Sequence, residues 1–212
     1  MQKRDWKTIK DYEEIKFESF EGIAKITINR PHKRNALRPK TVAELYDAFS
    51  NAREDHRVGV VLFTGAGPHT DGKYAFCAGG DFDWFEEQIS DPGKFRDIAW
   101  EAKRIVTSIL DMEKPMICRL NGAAAGLGAT IALLCDMIVS VETAQIGDPH
   151  VKVGLVAGDG GAADGRPVGV QSDDRLRADT QDVPPGAGPP APGAGRPRAP
   201  RCAPGSAGPT PG

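Results

Sequence analysis

The residues best suited to chemistry in this chain lie in Asn121-Gly-Ala-Ala-Ala-Gly-Leu-Gly-Ala-Thr-Ile-Ala-Leu-Leu-Cys-Asp136. The stretch reads as a turn, a run of small residues, and a helix begun through Gly126 and Gly128. The first turn of a helix carries N–H groups without intrahelical acceptors and a partial positive charge, so such a start suits an anion that develops during a reaction. Metal chemistry is poorly served. Cys77, Cys118, Cys135 and Cys202 lie far apart, without paired Cys/His ligand spacing, and the first three sit among apolar residues as buried reduced thiols. No metal site is expected. A net charge of −2 and a pI near 6.1 offer no basic surface for nucleic acid or an anionic membrane.

The elements that must position this helix alternate strands with helices. Residues 13–18 and 22–29 alternate apolar and polar with Glu21-Gly22 between them, which predicts a hairpin of half-buried strands. Arg30 to Leu37 follows as a loop, because Pro31 blocks strand continuation. Val42, Leu45, Tyr46 and Phe49 recur at helical spacing after Pro39, itself suited to a first helical turn. Residues 58–64 are a continuous apolar run, as expected of a strand buried on both faces. A long irregular loop then runs from Gly65 to Asp81 and ends in Tyr74-Ala-Phe-Cys-Ala-Gly-Gly-Asp-Phe82; loops of that length in a domain are often functional. A helix over 95–110, a strand over 115–120, and strands over 137–140 and 144–147 complete the pattern. Strands alternating with helices imply parallel βαβ connections and an α/β domain.

Composition divides the chain. No aromatic residue follows Trp100, no glutamate follows Glu142 and no lysine follows Lys152, while 11 of the 17 prolines fall within 164–212. That segment cannot bury enough apolar surface to offset its ordering entropy. The expected organisation is a folded part over 1–163 and a disordered Pro/Gly/Ala/Arg-rich tail over 164–212. The N-terminus lacks the apolar core of a signal peptide, and no apolar run is long enough to span a bilayer, so a cytoplasmic protein is expected.

Several motifs in sequence order resemble the crotonase (enoyl-CoA hydratase/isomerase) superfamily. They are Thr27-Ile-Asn-Arg-Pro31 with Asn35-Ala-Leu37, Phe76-Cys-Ala-Gly-Gly-Asp81, Asn121-Gly-x3-Gly-x-Gly128, Cys135-Asp136, and Gly147-Asp-Pro-His-Val-Lys-Val-Gly-Leu155. The resemblance covers residues 12–163 and implies an α/β spiral of ββα turns. It implies an acyl-CoA substrate in an extended slot, with no permanently bound cofactor because the substrate itself carries coenzyme A. It also implies an oxyanion hole of two backbone N–H groups, which by motif position fall on Gly80 and Leu127. Reactions of acyl-CoA load negative charge onto the thioester oxygen, and two preorganised donors stabilise it. By the same resemblance Arg34 and Ala36 line the CoA slot, Ala78 and Phe82 flank the acyl group, and Gly79, Gly80, Asp81 and Gly126 complete the binding segments.

Hydratases of this family set one glutamate in the helix after the glycines and another in a later loop, because syn addition of water needs two acid/base groups. Here those positions hold Thr130 and His150. Hydration by two glutamates is therefore not expected. His150 is a candidate single acid/base, with a reference pKa near 6.5, against the plain reading of a surface histidine. Other branches use an aspartate further on, and Asp159 lies one residue from that position; the plain reading is a turn residue among glycines. Asp148 is a further candidate. Asp81 reads as a helix cap, Glu86 and Glu87 as a solvated helix face, and Thr130 as a residue bonded back along its helix.

After Ala163 the family would continue into helices that complete a homotrimer or hexamer and cover the CoA site. Here the text switches abruptly, which suggests a chain truncated or read out of frame after residue 163; nucleotide sequence around that codon decides this. Loss of those helices would uncover apolar faces, so poor solubility and no defined trimer are expected. The functional readings are an acyl-CoA enzyme of this family, a non-catalytic acyl-CoA-binding remnant, and an interaction protein acting through its Pro-rich tail.

Overall fold

Alternating apolar and polar residues build the first hairpin. β2 (Ile15–Phe20) and β3 (Ile23–Ile28) pair antiparallel across Glu21 and Gly22, both at positive φ as a tight two-residue hairpin turn requires. β1 (Lys7–Lys10) adds antiparallel to β2; all four of its residues are exposed, so no buried face announces it in the sequence. In this computed structural model, residues 5–89, 92–147 and 177–179 are described.

From β3 onwards the chain winds in repeating turns, each placing a strand in one sheet, a strand in a second sheet, and then helix. β4 (Val60–Gly65) is followed by β5 (Ala75–Cys77), α2 (Phe82–Ile89) and α3 (Pro92–Leu110). β6 (Met116–Leu120) is followed by β7 (Ala123–Ala125) and α4 (Leu127–Leu133), and β8 (Met137–Ser140) by β9 (Gln145–Gly147). The first sheet has the order β1-β2-β3-β4-β6-β8 and is parallel from β3 on. The second has the order β10-β9-β7-β5, all parallel, with β10 at Arg177–Asp179. In the earliest turn, between β3 and α1 (Pro39–Glu54), Leu37 takes the place of a second-sheet strand through a single parallel bridge to Gly80. This is the ββα spiral that the sequence resemblance implies.

The first helix starts at Pro39 as predicted, and the strand over 137–140 has the predicted bounds. β4 starts at Val60 rather than Val58, because the Val58 N–H donates to Asp55 O (2.9 Å) in the turn that closes α1. The 65–81 loop is interrupted by β5, and the small residues after Asn121 form β7. Three-residue strands are too short for periodicity to reveal.

Side chains lock the turns together. Asn121 faces Gly65, its Nδ2 donating to Gly65 O (2.8 Å) and its Oδ1 accepting the Gly65 N–H (3.2 Å), which ties the end of β6 to the end of β4. Asp136 accepts the Met116 N–H (2.8 Å) at the start of β6. Lys114 donates to Ala52 O and Asp55 O (2.7 Å each), serving the free carbonyls at the C-terminus of α1. The core joins α1, β4 and β5 through Phe63, whose ring stands edge-on to Phe49 and Phe76 with centroids 5.3 Å away in each case. On the edge strand β8 and just after it, Met137, Val139 and Val141 are exposed. Among the described residues no helix is long and apolar enough to cross a membrane. Apart from β10, the 164–212 segment lies outside the described residues.

Candidate active site

The two segments singled out by the sequence leave the carboxyl ends of adjacent parallel strands. β5 runs into Ala78-Gly79-Gly80-Asp81 and β7 runs into Gly126-Leu127. Ligands of parallel α/β sheets bind outside such strand ends. Glycines let the segments touch. A Cβ on Gly128 would lie 2.3 Å from Cys77 O, and one on Gly79 would lie 2.8 Å from Ala125 O and 3.6 Å from Leu127 N. No side chain fits at either position without moving backbone.

Hydrogen bonds on its far side aim the Gly80 N–H. Leu37 N–H donates to Gly79 O (2.7 Å), and Asp81 N–H donates to Leu37 O (2.8 Å). In a planar trans peptide the C=O and N–H point in opposite directions. With the Gly79 carbonyl turned towards Leu37, the Gly80 N–H points away from it. Among the described residues that N–H has no acceptor, and neither has the N–H of Leu127, the first residue of α4. The Leu127 side chain packs half-buried against the core.

A buried ionic chain lies behind Gly80. Arg30, 5% exposed, donates from Nη2 to Asp81 Oδ2 (2.7 Å) and from Nη1 to Ala36 O (2.5 Å), and its Nε lies 3.4 Å from Glu14 Oε1. Glu14 also accepts from Arg38 Nε (2.6 Å) and from Thr41 Oγ1 (2.5 Å). Burial alone would raise the Glu14 carboxyl, but hydrogen bonds from Arg38 and Thr41 and the charges of Arg30 and Arg38 hold it below the usual value. Asn35, at positive φ, accepts the Arg30 N–H (3.0 Å) and donates to Ala66 O (2.7 Å) and Ala75 O (2.8 Å), fastening the loop to β5.

The other predicted residues are placed as follows. Arg34, also at positive φ, accepts the Ala78 N–H at its carbonyl (3.1 Å), and its exposed guanidinium donates to Asp71 Oδ2 (3.0 Å). Hydrogen bonds from the Lys73 N–H and the His69 ring hold the Asp71 carboxyl down to about 2. Ala36 is buried, Ala78 half-buried and Phe82 exposed. Gly126 caps α4 at positive φ and donates to Gly147 O (3.1 Å). Asp81 is buried and caps α2, its Oδ1 accepting the Asp83 N–H (3.2 Å). Thr130 is buried and its hydroxyl bonds back to Gly126 O (3.4 Å). Cys77 and Cys135 are core residues; burial pushes the Cys77 thiol up to about 12, which leaves it unreactive. Glu86 is exposed. His150, Asp159 and Asp148 lie outside the described residues, as does the Glu87 side chain.

Arg30 and Asn35 stand in motifs that carry the resemblance, but the sequence assigned neither a role, and it did not single out Phe85. The Phe85 ring packs on Gly80, so that a Cβ there would lie 2.3 Å from it. The signal for Asn35 was available, since asparagine tolerates the left-handed conformation. Arg30 beside Pro31 gave no sign that its charge is buried. Among the described residues no group of three His, Cys, Asp or Glu side chains is arranged to hold a metal ion.

A sequence model of the enoyl-CoA hydratase/isomerase family matches residues 18–171. Among solved structures, the chain is similar to an enoyl-CoA hydratase/isomerase from Mycobacterium paratuberculosis (32% identical, covering 70% of this chain and 57% of that one, TM-score 0.62). It is similar to an enoyl-CoA hydratase subunit from Geobacillus kaustophilus (30% identical, 72% and 55% covered, TM-score 0.62). It is also similar to an enoyl-CoA hydratase from Bacillus anthracis (26% identical, 70% and 55% covered, TM-score 0.64). The chain spans little more than half the length of these structures.

Proposed function

Because the chain belongs to the enoyl-CoA hydratase/isomerase family, we propose that it binds an acyl-CoA thioester and stabilises the enolate or oxyanion formed from it through the N–H groups of Gly80 and Leu127. The observation that carries this reading is the apposition of two glycine-lined strand ends, each bearing a backbone donor without an acceptor among the described residues. Donors fixed in advance gain as charge grows on the thioester oxygen, and the loss of one such donor typically costs about 10²–10³ in rate. Coenzyme A enters with the substrate in this reading and leaves with the product, and no resident cofactor is required.

The carboxylate partners of two-glutamate hydration are lacking. Thr130 occupies the helix position, and its buried hydroxyl is bonded to Gly126 O. Chemistry with one acid/base group fits better: a base removes a proton beside the thioester, the enolate is held, and the same group returns the proton to another carbon. His150 is the proposed group, with Asp159 second. It follows Gly147 by three residues, and the Gly147 carbonyl accepts the Gly126 N–H beside the proposed hole. β9 runs parallel to β7, so the chain leaves both at the same end. Arg34 and Ala36 serve the CoA portion of the slot; Ala78, Phe82 and Phe85 serve the acyl portion.

The test assays a panel of acyl-CoA thioesters, crotonyl-CoA among them, alongside calorimetric binding of CoA. His150→Ala is expected to lower turnover by about 10²–10⁴ while binding persists. Binding without turnover in the wild type, unchanged in His150→Ala, would mark a non-catalytic acyl-CoA-binding protein instead. No binding of any CoA compound sinks the reading.

A further inference from the structure

The buried Arg30 guanidinium connects to the Gly80 N–H through an unbroken run of hydrogen-bonded peptides. Arg30 Nη1 donates to the carbonyl of Ala36 (2.5 Å). The N–H on the other side of that peptide, at Leu37, donates to the carbonyl of Gly79 (2.7 Å). The N–H on the other side of that second peptide is Gly80's. Each bond withdraws electron density from the next N–H, and hydrogen bonds in such chains polarise one another by about 10–30% per bond. The sense is favourable: a cation at the head makes the last N–H a stronger donor.

The other arm of the guanidinium acts on the same atom through charge. Asp81 follows Gly80 directly, and an unpaired carboxylate there would oppose an oxyanion at the Gly80 N–H. Arg30 Nη2 neutralises it at 2.7 Å, with both side chains 6% exposed. Glu14 then balances the arginine from the far side, its Oε1 lying 3.4 Å from Nε. The rigid planar fork of arginine reaches Ala36 and Asp81 together, which a lysine point charge does not do. A hairpin anchor alone would need neither the charge nor the fork, since buried ion pairs are often replaceable by apolar residues without loss of stability.

Building on the oxyanion-hole reading, we infer that Arg30 is a positioning residue that aims and polarises the Gly80 N–H through the Ala36–Leu37 and Gly79–Gly80 peptides. It touches no substrate.

Two readouts on the full chain test this. The first is the carbonyl stretch of ¹³C-labelled crotonyl-CoA, free and bound, by difference infrared spectroscopy. The second is the Gly80 amide proton in the ligand-free protein labelled with ¹⁵N-glycine. The double variant Arg30→Gln, Asp81→Asn keeps shape and leaves no lone buried charge. It should show a carbonyl shift smaller than that of the wild type by about 10–30% and move the Gly80 amide proton upfield. Arg30→Lys, which restores charge without the fork, should recover part of both effects. A folded double variant with the full carbonyl shift and an unmoved Gly80 amide overturns the inference. Should the double variant fail to fold, Arg30→Lys decides: full wild-type values in both readouts overturn it, and reduced values support it. If the wild type itself shows no carbonyl shift on binding, the oxyanion-hole reading falls. The Gly80 amide then still decides the polarisation, upfield movement supporting it and no movement overturning it.

Discussion

Asn35 shapes the site without facing it. Its side chain is fully buried and spends both amide ends on backbone: the Arg30 N–H on one side, Ala66 O and Ala75 O on the other. Asn35→Ala strands those groups in the interior at about 1–3 kcal/mol for each unsatisfied one and strains a backbone at φ 58°. Urea unfolding should therefore show a loss of at least about 2 kcal/mol. Glu14 makes a prediction in pH. Its folded pKa is held below 4.5, so its contribution is complete above that value and disappears as pH falls through the folded pKa. Glu14→Gln should be less stable than wild type near neutrality, and the two stabilities should converge on acidification below about pH 4.5. A constant difference across a urea series from about pH 7 to pH 3 would contradict this assignment.

At the level of elements, the site depends on how closely β5 approaches the start of α4. Gly128 stands against the carbonyl of Cys77, where a Cβ would lie 2.3 Å from the oxygen. Backbone cannot swing aside as a flexible side chain can, so Gly128→Ala must push the two elements apart. Expected are a stability loss of about 1–3 kcal/mol, as for overpacking, and loss of acyl-CoA turnover beyond what that instability explains. Gly59→Ala is the control: its Cβ would meet nothing nearer than 3.9 Å and its φ is not in the left-handed region. Equal effects of the two substitutions would show that close approach at Gly128 does not matter. Leu37 matters at the same scale, because its single bridge to Gly80 replaces a whole strand of the second sheet.

Across the molecule, the aromatic column of Phe49, Phe63 and Phe76 couples the first helix to both sheets. Phe63 is fully buried at the middle of the column. Phe63→Ala should cost about 3–5 kcal/mol by thermal or urea unfolding, with a cavity that the packed neighbours only partly fill. A cost under about 1 kcal/mol would mean the column is not a rigid core. Cys118 and Cys135 are buried elsewhere in that core, in keeping with their apolar sequence setting.

Much of the fold was legible in the chain because its signals are local. The alternation over residues 13–29 specified β2 and β3, Pro39 marked the start of α1, and Gly126 and Gly128 marked the start of α4. What local patterns cannot carry is which atoms meet across long separations. β5 and β7 are too short to show a period, and their pairing exists only because β4 and β6 lie side by side. Arg30 and Asp81, 51 residues apart, become partners only when the spiral brings their turns together. Through the family resemblance of its motifs, the sequence by itself pointed to the N–H groups of Gly80 and Leu127. Tertiary structure decided that the Gly79 carbonyl turns towards Leu37, because hydrogen bonding within a planar peptide fixes the opposite N–H as well.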